Sequence, residues 1–153
     1  MLEPGDAAPE ITLTDHRGET VTVDPAAAGH TVVYFYPRAD TPGCTAEACG
    51  FRDEWDAFED ADVAVVGISD DPVADLEPFA AEYDLPFALL SDPDCAVASA
   101  YDSYGEKSMF GNTFDGVFRH TYVLDAEGTV VLAYEGVDPE DHADELLADI
   151  DSL

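Results

Sequence analysis

The reactive chemistry of this chain centres on two cysteines five residues apart, Cys44 and Cys49; its guanidinium groups are Arg17, Arg38, Arg52 and Arg119. A thiol at its ordinary pKa near 8.5 is only about 3% ionised at pH 7, yet the thiolate is the nucleophile. Unpaired backbone N–H groups at a helix N-terminus, the positive end of the helix dipole and a nearby cation all favour the anion. Thr41-Pro42-Gly43-Cys44 reads as an N-cap, a proline at the first helical position, a glycine that lets a substrate approach the backbone, and a thiol near the third helical position. The required cation is then an arginine. Arg38 and Arg52 bracket Cys44 in sequence, and Arg119 begins a strand in Val-Phe-Arg-His-Thr-Tyr-Val-Leu-Asp that a neighbouring place in a sheet would bring to the same point.

Helical periodicity separates the two thiols. Cys44, Ala48, Phe51, Trp55 and Phe58 share one stripe, at steps of 4, 3, 4 and 3, so Cys44 heads the inward face. Cys49 is rotated from Cys44 by about 140°, onto a polar flank with Arg52, Asp53 and Asp56. Cα atoms five residues apart on an α-helix stand about 8.6 Å from one another, whereas a disulfide needs roughly 4.4–6.8 Å. The pair therefore bonds only if the first turns unwind, and Gly50 lowers local helix propensity by about 1 kcal/mol. Glu47 is a candidate to orient the active-site arginines. Arg38 reads as a surface charge on the loop, and Arg52 as a structural partner of Glu47 or Asp53.

The elements that must hold this stretch follow from the pattern around it. Residues 10–14 and 19–23 alternate about Asp15-His16-Arg17-Gly18, a hairpin. Residues 31–36 and 63–69 are continuous β-branched and aromatic runs, the mark of strands covered on both faces, and 87–91 is a shorter one. Helices are expected at about 42–60, 72–83 and 93–103, the last opened by Cys95. Residues 118–125 and 129–135 flank Ala126-Glu127-Gly128 as a second hairpin, and a closing helix covers 139–153 with Leu146, Leu147 and Ile150 inward. The β-α-β-α-β-α order implies parallel crossovers. The expected fold is α/β and thioredoxin-like: a mixed central sheet flanked by helices, with an N-terminal β-hairpin extension, in one domain over residues 1–153. Tyr83, Tyr101 and Tyr104 read as packing residues.

Composition narrows the function. With 35 Asp and Glu against 5 Lys and Arg the formal net charge is −30, which excludes nucleic-acid and anionic-membrane partners, since both need basic surface. The carboxylates are spread along the whole chain, which reads as adaptation to molar salt and a halophilic archaeal source. The chain is accordingly expected to lose structure on dilution into low-salt buffer, and an unchanged circular dichroism spectrum would refute this. No apolar run approaches the ~20 residues of a membrane span, and the first residues lack the features of a signal peptide, so the expectation is cytoplasmic. Three cysteines and four scattered histidines suit neither a disulfide framework nor a four-ligand zinc site. No metal or organic cofactor is expected.

Pro37-x-x-x-Thr41-x-x-Cys44 resembles the active-site signature of the peroxiredoxins. The run from Tyr34 to Asp53, together with Gly67-Ile68-Ser69, Leu89-Leu90-Ser91-Asp92, Tyr104-Gly105-Glu106-Lys107 and Arg119-His120-Thr121-Tyr122, resembles the bacterioferritin-comigratory, or Q-type, branch. The resemblance spans nearly the whole chain. It implies a thiol peroxidase for hydrogen peroxide and organic hydroperoxides, with Cys44 the peroxidatic nucleophile and Cys49 the resolving cysteine. Thr41 would hydrogen-bond thiolate and peroxide, Arg119 would polarise the peroxide, and Pro37 would shield the pocket. A thioredoxin-like dithiol would restore the enzyme, and a monomer suffices for an intramolecular disulfide. Cys95 is either structural or an alternative resolving thiol. Ser103-Tyr104 stands where the family often has Val-Trp, so the pocket rim should differ. Two other readings share the thiol: a thiol–disulfide oxidoreductase, which usually needs a Cys-x-x-Cys this chain lacks, and a peroxide-sensing redox protein, separated only by turnover.

Overall fold

The computed structural model describes residues 1–39, 41–109 and 111–153; Asp40, inside the signature loop, and Phe110 lie outside the described residues. Strand β1 (Thr12–Asp15) and strand β2 (Thr20–Thr22) form the expected N-terminal hairpin. The centre of the sheet is β3 (His30–Phe35), whose alternate side chains serve both faces. Val32 and Tyr34, with Tyr36 beyond the strand, enter one buried cluster, and Val33 and Phe35 enter another. That two-sided burial is why its sequence is continuously apolar rather than alternating.

From β3 the chain crosses through α1 (Pro42–Asp53) and α2 (Trp55–Asp60) to β4 (Val63–Ser69), and through α3 (Val73–Glu82) to β5 (Ala88–Ser91). Both steps are parallel. A short α4 (Ala96–Ala100) and a hairpin of β6 (Tyr104–Met109) and β7 (Asn112–Val117) come next. Strands β8 (Thr121–Asp125) and β9 (Val130–Tyr134) then pair antiparallel on the other side of β3, and α5 (His142–Asp151) closes the chain. Among the described residues the main sheet has the order β2-β1-β5-β4-β3-β8-β9. This is the mixed, helix-flanked sheet with an N-terminal hairpin docked on β5.

One face is covered by α1, α2, α3 and α5, where Phe51, Phe58, Leu76 and Leu146 are fully buried. Burying each such side chain contributes roughly 1.5–3 kcal/mol. The other face carries Ile11, Cys95, Ala98 and Tyr101. Tyr101 packs 5.4 Å from Phe35 and donates to the Pro9 carbonyl at 2.6 Å, which makes it a core residue. Among the described residues no helix is long and apolar enough to cross a membrane.

Four readings need correction. The helix expected over 42–60 is broken at Glu54, where the N–H reaches the Gly50 and Arg52 carbonyls. Trp55 then turns inward to stack 5.8 Å from Phe87 and 6.5 Å from Phe58. The helix expected over 93–103 shrinks to five residues, with Cys95 as its N-cap at φ +55°. Residues 104–117, given no element by periodicity, form the β6–β7 hairpin. Arg119 lies in the segment just before β8 rather than within the strand.

Candidate active site

The loop between β3 and α1 is fixed from below before any reactive group is considered. Ala39 donates its N–H to Asp71 Oδ2 at 2.7 Å; the Ser69 hydroxyl donates to the same oxygen at 2.8 Å. The Ser91 hydroxyl in turn donates to the Asp71 carbonyl at 2.6 Å. Sequence reading missed Asp71, whose role depends on neighbours from three elements. Pro37 leaves β3 half-buried and Arg38 faces solvent, as expected for a loop charge.

Thr41 occupies the N-cap of α1 in an extended conformation, and Pro42 takes the first helical position. The Thr41 hydroxyl, however, donates to the Arg38 carbonyl at 2.9 Å, closing the loop instead of capping the helix or reaching the thiol. Cys44 follows with 2% exposure, and Ala48, Phe51 and Phe58 continue the buried stripe. Trp55 packs at the edge of the same cluster. The thiol therefore heads the inward face.

The cation is Arg119. Its Nη2 donates to Cys44 Sγ at 3.4 Å and its Nη1 to Glu47 Oε1 at 3.0 Å, so one guanidinium bridges two positions of α1. Its backbone is held too: Phe35 N–H bonds the His120 carbonyl at 2.8 Å and Val137 N–H the Arg119 carbonyl at 3.2 Å. Gly43 has a different use from the one its sequence suggested. A Cβ there would stand 3.2 Å from Arg119 Nη2, so the missing side chain admits the arginine rather than a substrate.

Glu47 is 1% exposed, and its Oε2 has no protein partner. Burial pushes its carboxyl up to about 7, with the Arg119 charge and hydrogen bond pulling the other way. The same arginine, shared between a carboxylate and a thiol, has its own pKa raised by both, although burial opposes this. It therefore remains a cation. Behind the thiol stand Tyr34 and Tyr36, each pushed up by burial. Removing the side chain at position 67 makes room for one of them: a Cβ on Gly67 would lie 2.7 Å from Tyr34 Oη.

The remaining candidates lie elsewhere. Arg52 bonds Asp53 Oδ1 and, at 2.9 Å, the Tyr83 carbonyl, so it is structural. Cys49 is half-buried on the same helix as Cys44, and both are free thiols. Burial raises the Cys49 thiol and Asp53 adds to this, while Arg52 lowers it. Cys95 belongs to the opposite face of the sheet, its Sγ 3.9 Å from Asp70 Oδ2. Burial first, then Asp70 and Asp92, push it up to about 11. The sheet stands between it and Cys44.

A thiol enclosed at a helix start, with a fixed guanidinium on its sulfur, suits nucleophilic attack with charge developing on a leaving oxygen. The comparisons agree in kind. Residues 4–133 match the AhpC/TSA family. The chain is 45% identical over 149 residues to a putative peroxiredoxin of Mycobacterium tuberculosis, covering 97% of this chain and 95% of that protein. It is 41% identical over 146 residues to peroxiredoxin Bcp of Escherichia coli, covering 95% and 94%. Among solved structures, the bacterioferritin comigratory protein of Xanthomonas campestris, described for alkyl peroxide reduction, superposes with a TM-score of 0.86 at 35% identity, over 93% of this chain and 90% of that one. A peroxiredoxin Q of Xylella fastidiosa gives 0.91 at 28% identity, over 99% and 97%.

Proposed function

The chain belongs to the AhpC/TSA family and is a peroxiredoxin of the Bcp/PrxQ type, a thiol-dependent peroxidase; from that premise we propose that Cys44 is its peroxidatic cysteine and Cys49 its resolving cysteine. The observation that carries this reading is the Arg119 guanidinium on Cys44 Sγ at the head of α1. Hydrogen peroxide and alkyl hydroperoxides are the substrates. The Cys44 thiolate attacks the terminal oxygen and the O–O bond breaks. The bonding pair leaves on the other oxygen, which takes a proton to give water or an alcohol. Arg119 stabilises the charge on that oxygen and Pro37 shields the pocket, while Thr41, whose hydroxyl oxygen can accept from the peroxide as it donates to the Arg38 carbonyl, orients the substrate.

Cys44 is then a sulfenic acid, which the Cys49 thiol condenses to a disulfide with release of water. An external dithiol of the thioredoxin kind reduces the bond and is itself oxidised to a disulfide. Since α1 runs unbroken through both cysteines, and the spacing of about 8.6 Å exceeds what a disulfide spans, resolution requires the first turns to open. The protein acts as a monomer in a cytoplasm of high salt; the supporting observation is its charge of −30.

Peroxide consumption with a thioredoxin system in molar salt tests this. Cys49→Ser should lose steady-state turnover at least tenfold, while still forming one sulfenic acid per chain in a single turnover. Cys95→Ser should behave as wild type. Loss of turnover in Cys95→Ser with none in Cys49→Ser would move the resolving role to Cys95. A protein oxidised by peroxide but not turned over by any dithiol would be a sensor.

A further inference from the structure

Among its 5 positive side chains this protein has one lysine, Lys107, set against 35 carboxylates. Among the described residues that lysine forms no ion pair with any of them. Its Nζ donates instead to the Val117 carbonyl at 2.9 Å. Lys107 and Phe114 face each other across the β6–β7 hairpin, and Gly105 faces Gly116. A Cβ on Gly116 would stand 3.1 Å from Lys107 Cδ, so the absent side chain leaves the lane along which the lysine stem lies. The hairpin thus delivers an ammonium to the end of β7, two residues before Arg119. That is the point from which Arg119 reaches Cys44 Sγ.

The titratable groups facing the lysine are Arg119 and Cys44: burial and Arg119 lower its pKa, and Cys44 raises it. Placing two cations together, in a chain with so few, is unfavourable unless an anion lies between them. We propose that Lys107 is a positioning residue of the peroxidase site, its ammonium held on the Val117 carbonyl so that it joins Arg119 in favouring the Cys44 thiolate. This rests on Cys44 being the peroxidatic nucleophile. Lys107 and Arg119 are both partly buried, which weakens screening by salt.

The groups facing Cys44 are Arg119 before β8, Glu47 on α1, Tyr34 and Tyr36 on and just beyond β3, and Lys107 on β6. All but Lys107 are unchanged between the proteins compared, so their titration cancels. In a Cys49→Ser, Cys95→Ser background, alkylation of the remaining thiol by iodoacetamide is followed from pH 4 to 9, alongside its single-turnover reaction with hydrogen peroxide. Lys107→Met should move the alkylation midpoint up by about half a pH unit, a roughly threefold loss of thiolate at low pH. Peroxide reaction at pH 6 should slow by a similar factor, and Lys107→Arg should restore both. An unmoved midpoint, or an equal shift in Lys107→Arg, would overturn the proposal and leave the lysine as a strut for the hairpin. Should Lys107→Met lose its native circular dichroism, Lys107→Gln keeps a donor for Val117 without the charge and gives the same readout. Failure of the background protein to consume one equivalent of peroxide would instead remove the reading of Cys44 on which the proposal stands.

Discussion

Cys44→Ser is expected to abolish peroxide turnover, by on the order of 10³-fold or more, while leaving the fold intact. A serine hydroxyl does not ionise near neutral pH, so the nucleophile is lost although its positioning survives. The substitution is close in volume, and the buried site already offers a donor, Arg119 Nη2, for the new oxygen. The melting temperature should therefore change little. Peroxide consumption and a thermal melt on the same sample check both halves. Substantial activity in the serine protein would place the nucleophile elsewhere.

The second large effect belongs to Arg119→Ala. Removal of a positioned donor from a developing oxyanion typically costs about 10²–10³ in rate, or about 2.7–4 kcal/mol, and here the same donor holds the sulfur. The variant should also change how stability varies with pH, through Glu47. A carboxyl that binds its proton more tightly folded than unfolded destabilises the fold as pH rises. The loss starts at the unfolded value, ordinarily 4.5, and levels off above the folded value, here about 7. Without Arg119, burial acts unopposed and the folded value rises further. The variant should then go on losing stability above pH 7, where wild type has levelled off. Adding Glu47→Gln should abolish that alkaline loss without restoring rate. Thermal melts at pH 6 and 8.5, beside peroxide kinetics, read the two effects separately; an arginine variant with wild-type kinetics would strip the guanidinium of its role.

What could be read from the sequence was set by period. The apolar run of β3, the N-terminal hairpin and the stripe from Cys44 to Phe58 each repeat at the spacing of their element, and each is where expected. What could not be read depended on distant partners. Glu47 reads as a candidate to orient an arginine, but which arginine, and that the carboxylate is buried, depend on Arg119, 72 residues away. The β6–β7 hairpin replaces apolar alternation with glycines that neighbouring side chains cover: Phe118 over Gly105, and Lys107 over Gly116. The break at Glu54 carries no proline or glycine of its own and follows from where Trp55 finds aromatic partners. Thr41 was placed correctly at the N-cap, but its hydroxyl turns back to the Arg38 carbonyl.

The break at Glu54 also sets the size of the cooperative unit that must melt for the disulfide to form. Helix α2, anchored by Phe58 and Trp55, is a separate segment with its own aromatic contacts, so melting stops at its border. Within the 12 residues of α1 the first turns are the part that must open, and Ala48 and Phe51 stay packed in the core unless they move with them. Gly50 weakens the helix although space does not demand a glycine there, the nearest atom to a Cβ being Ala143 Cβ at 3.8 Å. The first turns are tied to Arg119 through Cys44 Sγ and Glu47 Oε1. In the proposed cycle the sulfur that Arg119 holds takes on an oxygen, so the oxidation that calls for the disulfide also disturbs the contact that keeps the helix wound. A free helical segment rewinds within about a microsecond, so rewinding of the opened turns does not limit the cycle.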